Sequence, residues 1–257
     1  MDSILSQATL YGFVLIRVLA ILMALPFWSG KLPMSWKIAA AVWMSVLLSF
    51  AVRPAEVPDR WTLPLVLVGG VREFLTGALL GMFVRLISAG VTIAGQLTGF
   101  QMGLGIANVI DPATSESLSV IAGVFDLLAL FVFLELDGHL LAVKVLAKSF
   151  EWIPPFSARL DPALFFEVVR DGGGQMFRVG LALAWPFSLA LLLVYLAMGL
   201  LARVAPQVNL LVVGFPITIG VGLFVLSLGV PPLTVRMEGV FSETFHSLEK
   251  LLASMGR

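Results

Sequence analysis

Long apolar runs constrain this chain more than any other feature. A helix needs about 20 apolar residues to cross about 30 Å of hydrocarbon, and several stretches reach or approach that length. Residues 4–28 carry one charge, Arg17, and residues 36–52 carry one, Lys37, at the edge. Residues 118–136 carry Asp126 and Glu135, whereas 179–202 and 208–233 carry none. Such runs cannot all be hidden inside a water-soluble particle of 257 residues, because 59% of the chain is hydrophobic and only 12% charged; soluble domains lie near ~45–50% and ~25%. The expected class is an all-α polytopic membrane protein.

Composition removes several other classes. Basic and acidic residues balance at 16 each, so there is no basic surplus for nucleic acid. With no cysteine there is no disulfide, thiolate metal site or cysteine nucleophile. The N-terminal run starts behind Asp2 rather than a cation and is too long for a secretory signal, so it is expected to be a retained helix. His139 and His246 belong to no metal-ligand spacing, and there is no nucleophile elbow or phosphate loop. An enzyme, a resident metal and a cofactor are therefore not expected, and His139 reads as a turn residue.

Proline and glycine punctuate the runs into five to seven expected helices. Region 63–110 is too long for one span and should divide near Gly90 or Gly95. Pro54, Pro58 and Pro64 bracket one polar loop, and the longest polar connection is expected from Ser149 to Gln175. Asp111-Pro112 reads as an N-cap followed by a first helical residue. From Val235 to Leu252, Met237, Phe241, Phe245, Leu248 and Leu252 recur at helical spacing among charges, which predicts a separate amphipathic helix. Loop charges give no clear orientation.

Four features ask for a physical cause. Arg17, Arg72, Glu73, Arg85, Asp126, Glu135, Arg178 and Arg203 lie within or beside apolar runs. At about 3 kcal/mol each for mid-bilayer exposure, eight would cost about 24 kcal/mol, beyond a domain's net stability of about 5–15 kcal/mol. Most must pair, snorkel at helix ends, line water or meet a partner subunit, and Arg17 and Asp126 lie deepest. Gly77 and Gly81, then Gly95, Gly99 and Gly103, form a ladder at four-residue spacing, where another backbone can approach, either within the chain or from a neighbour. Pro186 interrupts one C-terminal run, and Gly214 and Pro216 the other, as in the broken helices of transporters. Finally, the segment from Gly103 to Asp111 is a loop that carries Ile106, Val109 and Ile110, apolar residues suited to sealing a narrow lumen.

Taken in order, these blocks resemble one family. They are Arg17 with LAILMALPFW and Pro33; GALLGMFVRLISAGVTIAGQLTGFQMGLG from Gly77; Asp111-Pro112; Asp126 with LLALFVFLELDGHL; and LLARVAPQVNLLVVGFPITIGVGL from Leu200. The pattern is similar to the FliR family of flagellar biosynthesis proteins, whose virulence-secretion relatives are the T components of injectisome export gates. The resemblance implies a single export-gate domain over 1–257, with N-terminal helices and the glycine ladder in 1–110, a plug loop in 103–112 and hairpins with the amphipathic tail in 113–257. It implies slanted, kinked helical hairpins assembled with FliP-like and FliQ-like subunits into a helical channel, beside FlhB and FlhA, much of it above the membrane plane. That channel would pass unfolded flagellar subunits across the bacterial inner membrane at the flagellar basal body. It also implies that Ile106, Ala107, Asn108, Val109 and Ile110 close the gate, that the glycines admit neighbouring helices, and that Arg17, Arg72, Glu73, Arg85 and Asp126 pair between subunits. Ile106, Val109 and Ile110 are aliphatic where some relatives carry phenylalanine, which implies a looser seal. The rival is an ion-coupled small-solute transporter with a site near Arg17, Asp126 and Pro216; an intramembrane protease ranks lower because no nucleophile–base pair is in view.

Overall fold

A computed structural model of the protein describes residues 2–24, 33–50, 62–104, 120–155, 162–207 and 209–255. All regular structure among these residues is helical: α1 (Asp2–Ala24), α2 (Met34–Ser49), α3 (Leu63–Gln101), α4 (Val120–Glu135), α5 (Gly138–Trp152), α6 (Pro162–Val204) and α7 (Leu210–Met255). Among the described residues, three stretches are long and apolar enough to cross a membrane: Leu63–Gln101, Phe165–Val204 and Val212–Lys250. A helix of 39 residues is about 58 Å long at 1.5 Å per residue, nearly twice the hydrocarbon thickness. Such a rod must slant steeply or run out of the bilayer.

The seven helices among the described residues agree with the expected number, but several are longer than the punctuation suggests. α3 runs unbroken past Gly90 and Gly95, where a division was expected. The reason is contact rather than flexibility. A methyl group at Gly90 would lie 2.6 Å from the carbonyl oxygen of Met176, and one at Gly95 would lie 2.5 Å from Cα of Ala122. Both glycines serve the approach of another helix.

The expected connection from Ser149 to Gln175 is also largely helical, because α5 continues to Trp152 and α6 already starts at Pro162. Gly172, Gly173 and Gly174 lie inside α6, although glycine costs about 1 kcal/mol relative to alanine in a helix interior. Buried Val168 anchors this first part of α6, and Gly172 lets it lie against the Leu86 side chain, which a methyl group would approach to 2.9 Å. Likewise the tail is not a separate helix: α7 continues through Pro231 and Pro232 to Met255. Its amphipathic stripe is nevertheless present, with Met237, Phe241, Leu248 and Leu252 buried and Glu243, Glu249 and Lys250 exposed. His139 stands exposed in the first turn of α5, just after Asp137 turns the chain with a left-handed φ of 52°.

Two compact units are present, and neither is a continuous stretch of chain. One contains residues 1–87, 137–174 and 241–257, the other 88–136 and 175–240. In the first, α1 packs on α2 and on the start of α3, around Phe13, Val14, Val18, Leu80, Phe83 and Phe150. In the second, the end of α3, α4 and the middle of α6 bury Val91, Ala94, Phe125, Leu183 and Phe187. The rings of Phe125 and Phe187 meet edge-on at 5.6 Å.

Candidate functional site

Arg17 and Glu73 organise the first unit. Both side chains are fully buried, and Arg17 Nε donates to Glu73 Oε2 at 2.6 Å. Arg17 Nη1 donates to the carbonyls of Ser149 and Ile153 at 3.0 and 2.8 Å, where α5 ends. A helix C-terminus presents unpaired carbonyls and partial negative charge, so a cation there is favoured twice over. The guanidinium face lies 4.3 Å above the centre of the Phe150 ring, which adds a cation–π attraction strengthened by the absence of solvent. Among the described residues, Nη2 has no hydrogen-bond partner.

The glycine ladder makes this arrangement possible. Glu73, Gly77 and Gly81 are four apart and turn one face of α3 toward α1. A methyl group at Gly77 would stand 2.6 Å from the backbone oxygen of Arg17, and one at Gly81 would collide with Cβ of Ala24. Without that smooth strip the two backbones could not come close enough for a short Glu73 side chain to reach Arg17. The ion pair and the ladder are one device, and it closes within this chain. The expectation that Arg17 and Glu73 pair between subunits is therefore corrected. Their desolvated charges are matched by α3 and α5 of the same molecule.

In the second unit the end of α3 is held in detail. Leu104 N–H donates to Gly99 at 3.1 Å and Gly103 N–H to Phe100 at 3.0 Å, with Gly103 at φ +88°. This is the Schellman pattern, in which a left-handed residue turns the last amides back on the helix. A side chain at Gly103 would also strike the Phe215 ring, 2.5 Å away. The last carbonyls are met from other helices: Thr218 Oγ1 donates to Met102 at 2.9 Å, and the Tyr195 hydroxyl donates to Gln101. Met102 packs on Gly222, where a methyl group would lie 2.6 Å from its Cγ. The direction in which the chain leaves α3 is thus set by α6 and α7.

Other sequence candidates fall in distinct places. Asp126 accepts a hydrogen bond from Thr92 Oγ1 at 2.8 Å within the second unit. Arg72 and Arg85 are exposed on α3, as are Glu135, Arg178 and Arg203 on their own helices. Gly99 is buried. Helices α6 and α7 are continuous through Pro186, Gly214 and Pro216, correcting the expected breaks; Gly214 lies 3.2 Å from the Met198 sulfur, measured from a methyl group built on it. Ile106, Ala107, Asn108, Val109, Ile110 and the Asp111-Pro112 step lie outside the described residues.

Several contributors had no signal of their own. Phe150 and the carbonyls of Ser149 and Ile153 reach Arg17 across more than 130 residues, and Tyr195, Thr218 and Phe215 bear on the α3 terminus. Glu73 did have one: its spacing to Gly77 and Gly81 puts it on the approachable face of α3.

Comparison with known proteins gives a consistent likeness. The family model described as bacterial export proteins, family 1, matches residues 8–244. The chain is 34% identical over 256 residues to the flagellar biosynthetic protein FliR of Escherichia coli (strain K12), covering 98% of this chain and 95% of that protein. It is 35% identical to the protein of that name from Pectobacterium carotovorum subsp. carotovorum, over 93% and 91% of the two chains. Against the one from Bacillus subtilis (strain 168) it is 30% identical over 100% and 99%.

Proposed function

The chain belongs to the bacterial export proteins, family 1, and from that membership we propose that it forms part of the protein-conducting channel of the flagellar type III export apparatus. It is a component of that apparatus and a membrane-type protein with long apolar helices, not an enzyme. The likeness to flagellar biosynthetic proteins over nearly its whole length carries this conclusion. A small-solute transporter finds no support among those relatives.

The chain sits in the bacterial inner membrane at the flagellar basal body and assembles with FliP-like and FliQ-like subunits, beside FlhB and FlhA. Unfolded flagellar subunits pass through the shared channel. Ile106, Ala107, Asn108, Val109 and Ile110 close it at rest, because apolar side chains in a narrow lumen exclude water and ions. Support comes from the apolar character of that segment and from the firm seat of the chain at Gly103 just before it. Exposed aromatic surface on α2, where Trp36 and Trp43 are 68% and 70% accessible, suits cover by lipid or neighbouring subunits.

Reconstituted gates carrying Ile106→Ser, Val109→Ser and Ile110→Ser should conduct ions at rest, while unaltered gates should not. Equal conductance would remove the plug assignment and leave the export role standing. Failure of FliP-like and FliQ-like subunits to co-purify with the chain would remove the channel reading itself.

A further inference from the structure

Pro186 lies inside α6 and has no amide hydrogen, so the carbonyl of Ala182, four residues earlier, cannot receive its helical bond. Ala182, Pro186 and Arg236 all lie on the exposed surface, and where lipid or a partner rather than water covers that surface, an unpaired carbonyl is costly and needs another donor. Here the donor comes from outside the helix: Arg236 of α7 gives Nη1–H to the oxygen of Ala182 at 2.8 Å. Both residues belong to the second unit.

Packing around the bond is incomplete. A half-open groove of about 190 Å³ lies beside it, lined among others by Trp185, Phe187, Val225 and Leu233. Leu183, Phe187 and Leu233 are buried along this stretch, and a methyl group at Gly229 would meet the Phe187 ring at 3.7 Å. Dispersion is weak across a gap, which leaves the guanidinium as the polar tie. Its chemistry suits the task, since it keeps its charge and offers several donors in a fixed fork.

We propose that Arg236 is a positioning residue of the channel subunit, whose guanidinium replaces the amide that Pro186 removes and so holds the proline step of α6 to α7. Its consequence for export rests on the channel reading above; the bond itself does not.

The pairing has a distinctive genetic signature, because restoring the amide should make the guanidinium dispensable. Unaltered chain, Arg236→Ala, Arg236→Lys, Pro186→Ala and the double variant Pro186→Ala with Arg236→Ala would be co-expressed with the FliP-like and FliQ-like subunits. Two quantities are read: secretion of flagellar subunits into the medium, and the apparent thermal midpoint of the membrane-extracted chain. Arg236→Ala should lower secretion several-fold and the midpoint by about 2–4 °C, and Arg236→Lys, which keeps a charged donor group on a shorter reach, should fall less. In the Pro186→Ala background the same Arg236→Ala change should move neither quantity. The proposal is overturned if the double variant is as impaired relative to Pro186→Ala as Arg236→Ala is relative to the unaltered chain. It is also overturned if Arg236→Ala costs nothing, or if Pro186→Ala fails to accumulate in the membrane. The midpoint cycle decides the bond even if export proves not to be the chain's activity.

Discussion

Arg17 keeps a full charge away from solvent because three kinds of partner converge on it: a carboxylate, two helix-terminal carbonyls and an aromatic face. Such a pair adds little stability compared with a well-packed apolar substitute, since desolvation offsets much of the attraction, but losing one member strands the other. Glu73→Ala should therefore destabilise the protein by about 3–5 kcal/mol, whereas Arg17→Met combined with Glu73→Leu should cost much less. Denaturation midpoints of the membrane-extracted chain distinguish the cases. If the double change is as damaging as the single one, Arg17 contributes mainly through its α5 carbonyls rather than through Glu73.

Glycines in these helices do opposite jobs according to what faces them. Gly77 is a contact point, since a side chain there would press into the Arg17 backbone. Gly174, on the same chain's α6, has none of the described residues within 4 Å of where a methyl group would stand. Gly77→Val should force α1 away from α3, costing about 1–3 kcal/mol or more and loosening the Arg17–Glu73 pair with it. Gly174→Ala should stabilise by up to about 1 kcal/mol, the helix-propensity gain alone. Thermal midpoints shifting in opposite directions would bear this out. A shift of the same sign would show that Gly174 is covered in the assembly.

Across the molecule, the charges that looked hardest to place fall into two groups. The deepest are matched internally, Arg17 by Glu73 and Asp126 by Thr92, while Arg72, Arg85, Arg178 and Arg203 stand exposed beside broad apolar surface. Phe50, Trp185 and Phe224 are 86%, 65% and 63% accessible, respectively, more bare aromatic surface than a lone soluble molecule tolerates. Because the chain has no cysteine of its own, single reporters are clean. Trp43→Cys and Phe224→Cys should react with a water-soluble maleimide readily in detergent-extracted chain and slowly once FliP-like and FliQ-like subunits are present. Rates that stay equal at both positions would mean that lipid, not protein, covers these faces.

Helix content, apolar character, the burial of Arg17 and the buried stripe from Met237 to Leu252 were all legible in the order of residues. Each depends on hydropathy and a 3.6-residue period, which are local quantities. The same local signals misplaced the boundaries. Gly90, Gly95, Gly172 and Pro186 look like stops when read along the chain, yet α3 and α6 continue through them, because neighbouring helices use the missing side chains and Arg236 supplies the missing donor. Nor could any spacing rule join Arg17 to Glu73, 56 residues away, or to the end of α5. Those pairings depend on which backbones approach within a few ångströms, and that is settled by packing in three dimensions, where a glycine's lack of a side chain counts as much as a charge.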